Sequence, residues 1–217
     1  MKTPARSIIL CGIKHCGKST QAKLVASAIG AAVYDTDDLI LEQCGMDARA
    51  LYKSQGKDAF MQAELRACER LRDILAEGSK AQDAGAASCG QNSSQAKNCA
   101  AAVIATGGGI CQNEPAIALL KKLGTIVYLE VPEITAAGRI VREARFLPDG
   151  GIENLPAYIA AKNPRDEKDV RAIFHDFYME RTQKYRNLAD VTVQMQGSRE
   201  NNCKKILSAL SQCHSRA

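Results

Sequence analysis

Gly12-Ile13-Lys14-His15-Cys16-Gly17-Lys18-Ser19-Thr20 decides how this chain of 217 residues is read. The stretch fits G-x-x-x-x-G-K-[ST] and follows an apolar run, Ser7-Ile8-Ile9-Leu10-Cys11, that reads as a buried strand. After it, from Gln21 to Ile29, Ala22, Leu24, Val25, Ala28 and Ile29 recur at helical spacing. A strand feeding a glycine-bearing loop into a helix N-terminus turns several backbone N–H groups toward one point. The helix dipole adds partial positive charge there, which suits a polyphosphate. Gly12, Cys16, Gly17, Lys18, Ser19 and Thr20 are therefore the expected contacts of a nucleoside triphosphate. Lys18 is expected to reach the β- and γ-phosphates and the Ser19 hydroxyl to ligate Mg²⁺. A chance glycine turn leaves Lys-Ser-Thr unexplained.

The bulk numbers are those of an ordinary water-soluble protein, with 46% hydrophobic and 24% charged residues, and one domain over 1–217 is the expectation. The net charge of +5 suits anionic ligands. No Lys/Arg stripe with interleaved aromatics appears and there is no Trp, so nucleic acid is not expected. Nine cysteines form an odd set without C-x-x-C, and Cys11, Cys68 and Cys111 lie in apolar runs; reduced thiols in a cytoplasmic protein fit better than disulfides or zinc. Cys16 reads either as an oxidation-sensitive thiol at a helix N-terminus or as a tolerated small loop residue. Lys2 and Arg6 precede an apolar stretch too short for a signal peptide, and no segment approaches the roughly 20 apolar residues of a membrane span. A monomer without nucleic-acid or membrane partners is expected.

Outward from the loop, short β-like runs alternate with helical patterns, predicting an α/β fold whose parallel sheet is covered on both faces. Strands are expected at 31–34, 101–106, 125–130 and 190–193, helices over about 47–77 and 200–210. Ser79 to Ala100 has no Leu, Ile, Val or aromatic residue and reads as a flexible surface insertion. Glu143 to Arg165, with Gly150-Gly151, three prolines and several charges, reads as a lid.

Ligands of such sheets bind beyond the carboxyl ends of the strands. Asp35 and Asp37 fall at one such end, two apart, so that on an extended segment both project to one side. One carboxylate can serve the metal while the other meets an acceptor hydroxyl, the division that phosphoryl transfer to an alcohol requires. A helix cap accounts for one of the three carboxylates in Asp35-Thr36-Asp37-Asp38 and leaves the others available. Gly107, Gly108 and Gly109 end the third strand and allow close backbone approach to an acceptor.

These pieces together resemble shikimate kinase over nearly all of the chain outside the 79–100 insertion. The likeness rests on Gly12–Thr20, Tyr34-Asp35-Thr36-Asp37, Gly56 through Phe60 to Glu64, Thr106-Gly107-Gly108-Gly109, and Arg181 followed by Tyr185. That last pair resembles Arg-x-Pro-Leu-Tyr, written here Arg181-Thr182-Gln183-Lys184-Tyr185. The resemblance implies a three-layer α/β/α kinase fold with a five-stranded parallel sheet, an acceptor-binding region over 37–77, and transfer from Mg-ATP to the 3-hydroxyl of shikimate. It places Asp35 with Ser19 at Mg²⁺, Asp37 on the acceptor hydroxyl as the group that helps remove its proton, Gly107 to Gly109 along shikimate, and Arg181 on its carboxylate. Arg145 is implied as the lid arginine on the transferred phosphate, and Arg139 and Arg199 as the pair flanking adenine.

The chain departs from that pattern at Met61, where an arginine typically clamps the shikimate carboxylate. A thioether does not replace a bidentate guanidinium. Losing such a bond costs roughly 1.5–3 kcal/mol, tenfold or more in affinity. Lys57, one helical turn earlier, can partly substitute from the same face. The lid is also longer and lacks Arg-Pro-Leu-Leu. Two rival readings follow: a kinase of another small hydroxylated metabolite, and a nucleotide-binding regulatory protein that no longer transfers phosphate.

Overall fold

The computed structural model describes residues 6–85, 102–148 and 150–214. Strand β1 (Ser7–Cys11) is buried along its whole length and runs into the loop, whose Gly17 caps helix α1 (Lys18–Ile29). Strands β2 (Ala32–Asp35), β3 (Ala102–Ala105), β4 (Gly124–Glu130) and β7 (Val191–Gln194) join it in one parallel sheet of order β2-β3-β1-β4-β7. Leu10 lies beside Ala105 on one side and Val127 on the other. Near-continuous apolar runs such as Ile126 to Leu129 are what a sheet covered on both faces demands. Helices α1 and α8 (Arg199–His214) pack together, while α4 (Glu114–Leu123) and α7 (Glu167–Leu188) pack on β4. The expected α/β fold with a five-stranded parallel sheet is what forms. Among the described residues no helix is long and apolar enough to cross a membrane.

Three expectations need correction. The extended segment ends at Asp35, because Asp35 caps a separate helix α2 (Thr36–Cys44) by accepting the Asp37 N–H at 3.0 Å. Asp37 and Asp38 then sit in a first turn, where the helix dipole favours carboxylates. Helix α3 (Ala48–Gly85) does not stop at residue 77 and is broken at Gly56, whose φ of 83° turns the chain between two helical segments. Ala, Lys and Gln are good helix formers, so the first seven residues of the expected insertion continue α3 despite their polarity. The remainder of that insertion, 86–100, lies outside the described residues.

Within 143–165, helix α5 (Glu133–Glu143) gives way to an antiparallel hairpin of β5 (Arg145–Phe146) and β6 (Ile152–Glu153), then the short helix α6 (Ala157–Ala160). Leu155 and Ile159 are buried in the core, so only the hairpin half of this stretch projects.

Candidate active site

Two clefts open at the carboxyl ends of the strands and meet at the phosphate loop, with Gly17 and Thr20 lining both. The smaller, about 450 Å³, is walled by Pro132, Arg139, Gln196, Arg199 and the loop. Arg139 and Arg199 thus stand on one cleft, and an Arg139 guanidinium N–H donates to the His15 carbonyl at the loop. Cys16 borders this cleft but is buried, its sulfur 3.6 Å from the Lys18 Nζ.

Lys18 is itself buried, and its ammonium donates to the Gly12 and Ile13 carbonyls at 2.9 Å each, which centres the charge under the loop. The Ser19 hydroxyl donates to Asp35 Oδ2 at 2.7 Å, while Asp35 Oδ1 is held by the Asp37 N–H. A hydroxyl and a carboxylate brought together beside the loop are hard oxygen donors that fit Mg²⁺. Among the described residues no cluster of three or more His, Cys, Asp or Glu could hold a metal alone.

The larger cleft, about 630 Å³, holds the residues expected around the acceptor. Asp37, Lys57, Met61, Gly107, Gly108, Gly109 and Arg181 all line it. A Cβ on Gly107 would lie 3.1 Å from Asp37 Oδ1 and 3.0 Å from Glu64 Oε1, so both carboxylates converge on that glycine and a methyl group there would be crowded. A Cβ on Gly108 would lie 2.9 Å from the Lys14 backbone nitrogen, so the phosphate loop and the acceptor wall are in contact at this point. Burial first, and Asp35 second, raise the Asp37 carboxyl above its ordinary value, against the pull of Lys18 and Lys14. Arg181 donates to the Gly108 carbonyl at 3.0 Å and lies over the rings of Tyr158 and Phe177, 4.9 and 5.1 Å from their centroids. Its buried Nε has no protein partner, which leaves an N–H for an anionic ligand.

Arg145 is not brought into this arrangement. Its side chain is 73% exposed, faces Glu153 across the hairpin at 3.6 Å, and lines neither cleft. A two-residue strand in an antiparallel pair points its side chains by register, and that register sends Arg145 to Glu153.

Glu64 was not among the expected site residues. It is 1% exposed, its Oε2 accepts from the Asn113 side chain at 3.1 Å, and its Oε1 has no partner. Asn113 also donates to the Met61 carbonyl at 2.8 Å, tying Glu64 to the residue that departs from the resemblance. Burial pushes the Glu64 carboxyl up to about 7, with Asp37 adding to the rise and Asn113 and Arg181 opposing it. Its spacing, seven residues from Lys57 and three from Met61, puts it on their helix face and is the signal that could have found it. An unfolded glutamate titrates near 4.5, so the stability of the neutral form is full below that value and is lost as pH rises through about 7. The loss amounts to about 3 kcal/mol. Glu64→Gln is therefore expected to raise the melting temperature by several degrees at pH 8 and by much less at pH 5. An equal shift at both values would mean that Glu64 is ionised throughout.

Comparison with known proteins places the chain among relatives. The family model described as shikimate kinase matches residues 14–79 and 88–211. The shikimate kinase of Francisella tularensis subsp. novicida is 28% identical over 204 residues, 94% of this chain and 93% of that protein. That of Francisella philomiragia is 27% identical over 204 residues, again 94% of this chain and 93% of that protein. Among solved structures, shikimate kinase from Acinetobacter baumannii in complex with shikimate superposes with a TM-score of 0.70 at 21% identity, covering 96% of this chain and 94% of that one. The Bacteroides thetaiotaomicron enzyme gives 0.67 at 16% identity, covering 95% of this chain and 98% of that one. At these identities the structural likeness speaks for the fold.

Proposed function

This chain belongs to the shikimate kinase family, and on that premise we propose how its own residues carry the transfer of phosphate from ATP to the 3-hydroxyl of shikimate. ATP lies across the smaller cleft with its phosphates on the loop. Arg139 and Arg199 flank the adenine, and Lys18 draws the β- and γ-phosphates into place. Ser19 and Asp35 hold Mg²⁺, which when bound offsets phosphate charge. Shikimate occupies the larger cleft with its carboxylate on the free N–H of Arg181 and its ring along Gly107 to Gly109. Asp37 accepts the proton of the attacking hydroxyl, a task suited by a carboxyl raised above its ordinary value. Catalysis is then mainly positioning and charge stabilisation.

The observation that carries this reading is the convergence of Asp37 on the wall that touches the phosphate loop, within one cleft with Arg181. Met61 favours a second reading, a different small hydroxylated acceptor, because a thioether stands where the resemblance implies a second guanidinium for the carboxylate. One experiment separates them: turnover and calorimetric binding of shikimate by the wild type and by Met61→Arg. The wild type is expected to phosphorylate millimolar shikimate, and the variant to bind it about tenfold tighter or better. An arginine at 61 also gains Glu64 as a neighbour. No turnover with shikimate, together with turnover of another polyol or hydroxy acid, would establish the second reading.

A further inference from the structure

Lys18, Arg181 and Lys14 line the acceptor cleft, and they differ in what holds them. Lys18 is tied to two loop carbonyls and Arg181 to the Gly108 carbonyl and two aromatic rings. Lys14 is half-buried, and its ammonium makes no hydrogen bond or ion pair with another described residue. Its backbone nitrogen lies against Gly108, so its side chain departs from the point where the donor loop meets the acceptor wall. The charges that act on it come from four elements around that junction: Arg49 at the start of α3, Glu143 at the end of α5, Asp37 in α2 and Lys18 in α1. Of the two carboxylates, Glu143 is already engaged by His15 Nδ1 at 3.3 Å. Burial, with Arg49 behind it, lowers the Lys14 ammonium from its ordinary value, as expected for a cation without a firm partner.

We propose that Lys14 is a catalytic residue that contacts the phosphoryl group as it passes from ATP to the acceptor, a task that Arg145 does not perform while it faces Glu153. The proposal rests on the kinase reading given above. In the passage, the γ-phosphorus breaks its bond to the β–γ bridging oxygen, which leaves on ADP with the electron pair. A new bond forms to the acceptor oxygen, whose proton goes to Asp37. Negative charge is spread over the equatorial oxygens of a group between Lys18 and the anionic Asp37. A cation that reaches that gap stabilises the charge in flight and offsets its repulsion by Asp37. Half-burial suits the task, since a fully exposed ammonium would be screened by water and salt.

Lys14→Met keeps the unbranched stem and removes the charge; Lys14→Arg restores it. With shikimate and Mg-ATP, kcat is expected to fall about tenfold or more in Lys14→Met, with both KM values within about threefold, and to recover largely in Lys14→Arg. A second readout needs no acceptor. ADP with aluminium fluoride mimics the group in transit, and Lys14→Met is expected to lose about tenfold of its tighter binding over ADP alone. A kcat within about twofold of wild type overturns the proposal. So does a loss confined to KM for shikimate, which would make Lys14 a clamp on the acceptor carboxylate. If the wild type phosphorylates no shikimate, the function reading has failed instead, and the aluminium fluoride titration decides the role of Lys14 alone. Should Lys14→Met melt well below wild type, Lys14→Gln serves in its place in both measurements.

Discussion

Replacing Lys18 by alanine is expected to lower phosphoryl transfer by about 10³-fold or more. The ammonium lies under the loop with only 8% of the residue exposed, where its field is little screened. Two backbone carbonyls, of Gly12 and Ile13, hold it there at 2.9 Å. The substitution therefore removes the charge that draws the β- and γ-phosphates together and also leaves both carbonyls without that donor, at about 1–3 kcal/mol of stability. A coupled assay of ADP release with a thermal melt on the same sample separates the two effects. Turnover should vanish while the protein remains folded, with a modestly lower melting temperature. Intact turnover in the variant would mean that the phosphates bind elsewhere. Lys18 also pulls the Asp37 carboxyl downward, so its loss lets Asp37 rise further and alters the base at the same time. Lys18→Ala and Asp37→Asn should consequently combine to less than the product of their separate effects.

Asp37→Asn, close to isosteric, is expected to reduce kcat by about 10²- to 10⁴-fold with ADP affinity unchanged. Asp37 does not border the smaller cleft, and the hydrogen bond that anchors its turn runs from its backbone N–H to Asp35, so the fold of α2 is retained. Single-turnover kinetics would show bound ATP that fails to react. A fall in ATP affinity with kcat preserved would reassign Asp37 to the metal. There is a second mark. Asp37 helps to hold Glu64 up near 7, so the variant should shift the stability transition of Glu64 to lower pH, a change visible in melting temperature without any substrate.

Strand β1, the loop and α1 are legible in the sequence nearly to the residue, because a buried run, a glycine turn and a helical stripe each announce themselves locally. The clefts are legible through residue types too: Asp37, Arg181 and the three glycines stand on one of them. Helix α2 is not, since Asp35-Thr36-Asp37-Asp38 reads equally as the end of a strand and as a cap followed by a first turn. Arg145 escapes for another reason. Which way a two-residue strand points is settled by pairing across a turn, which spacing does not reveal. Glu64 escapes because a carboxylate in a helix ordinarily marks a solvated face, and nothing local to it says that Asn113, 49 positions away, closes over it. Arg181 illustrates the same limit: its residue type suggests an anion, but the rings of Tyr158 and Phe177 that fix it come from two separate helices.

The order of the sheet has a bearing on descent. Strands β1 and β3 are hydrogen-bonded neighbours, and just beyond them the Thr106 N–H still donates to the Leu10 carbonyl at 3.1 Å. The donor loop leaves one of these strands and the acceptor wall leaves the other. The side-by-side placement of loop and wall is thereby anchored to the inter-strand repeat, roughly 4.8 Å, a dimension of backbone that no side-chain substitution rewrites. A lineage can drift to 28% identity and still keep these two strands, with the loop and the wall that leave them, side by side. Acceptor preference can diverge in such a frame while the meeting of donor loop and acceptor wall is handed down unchanged.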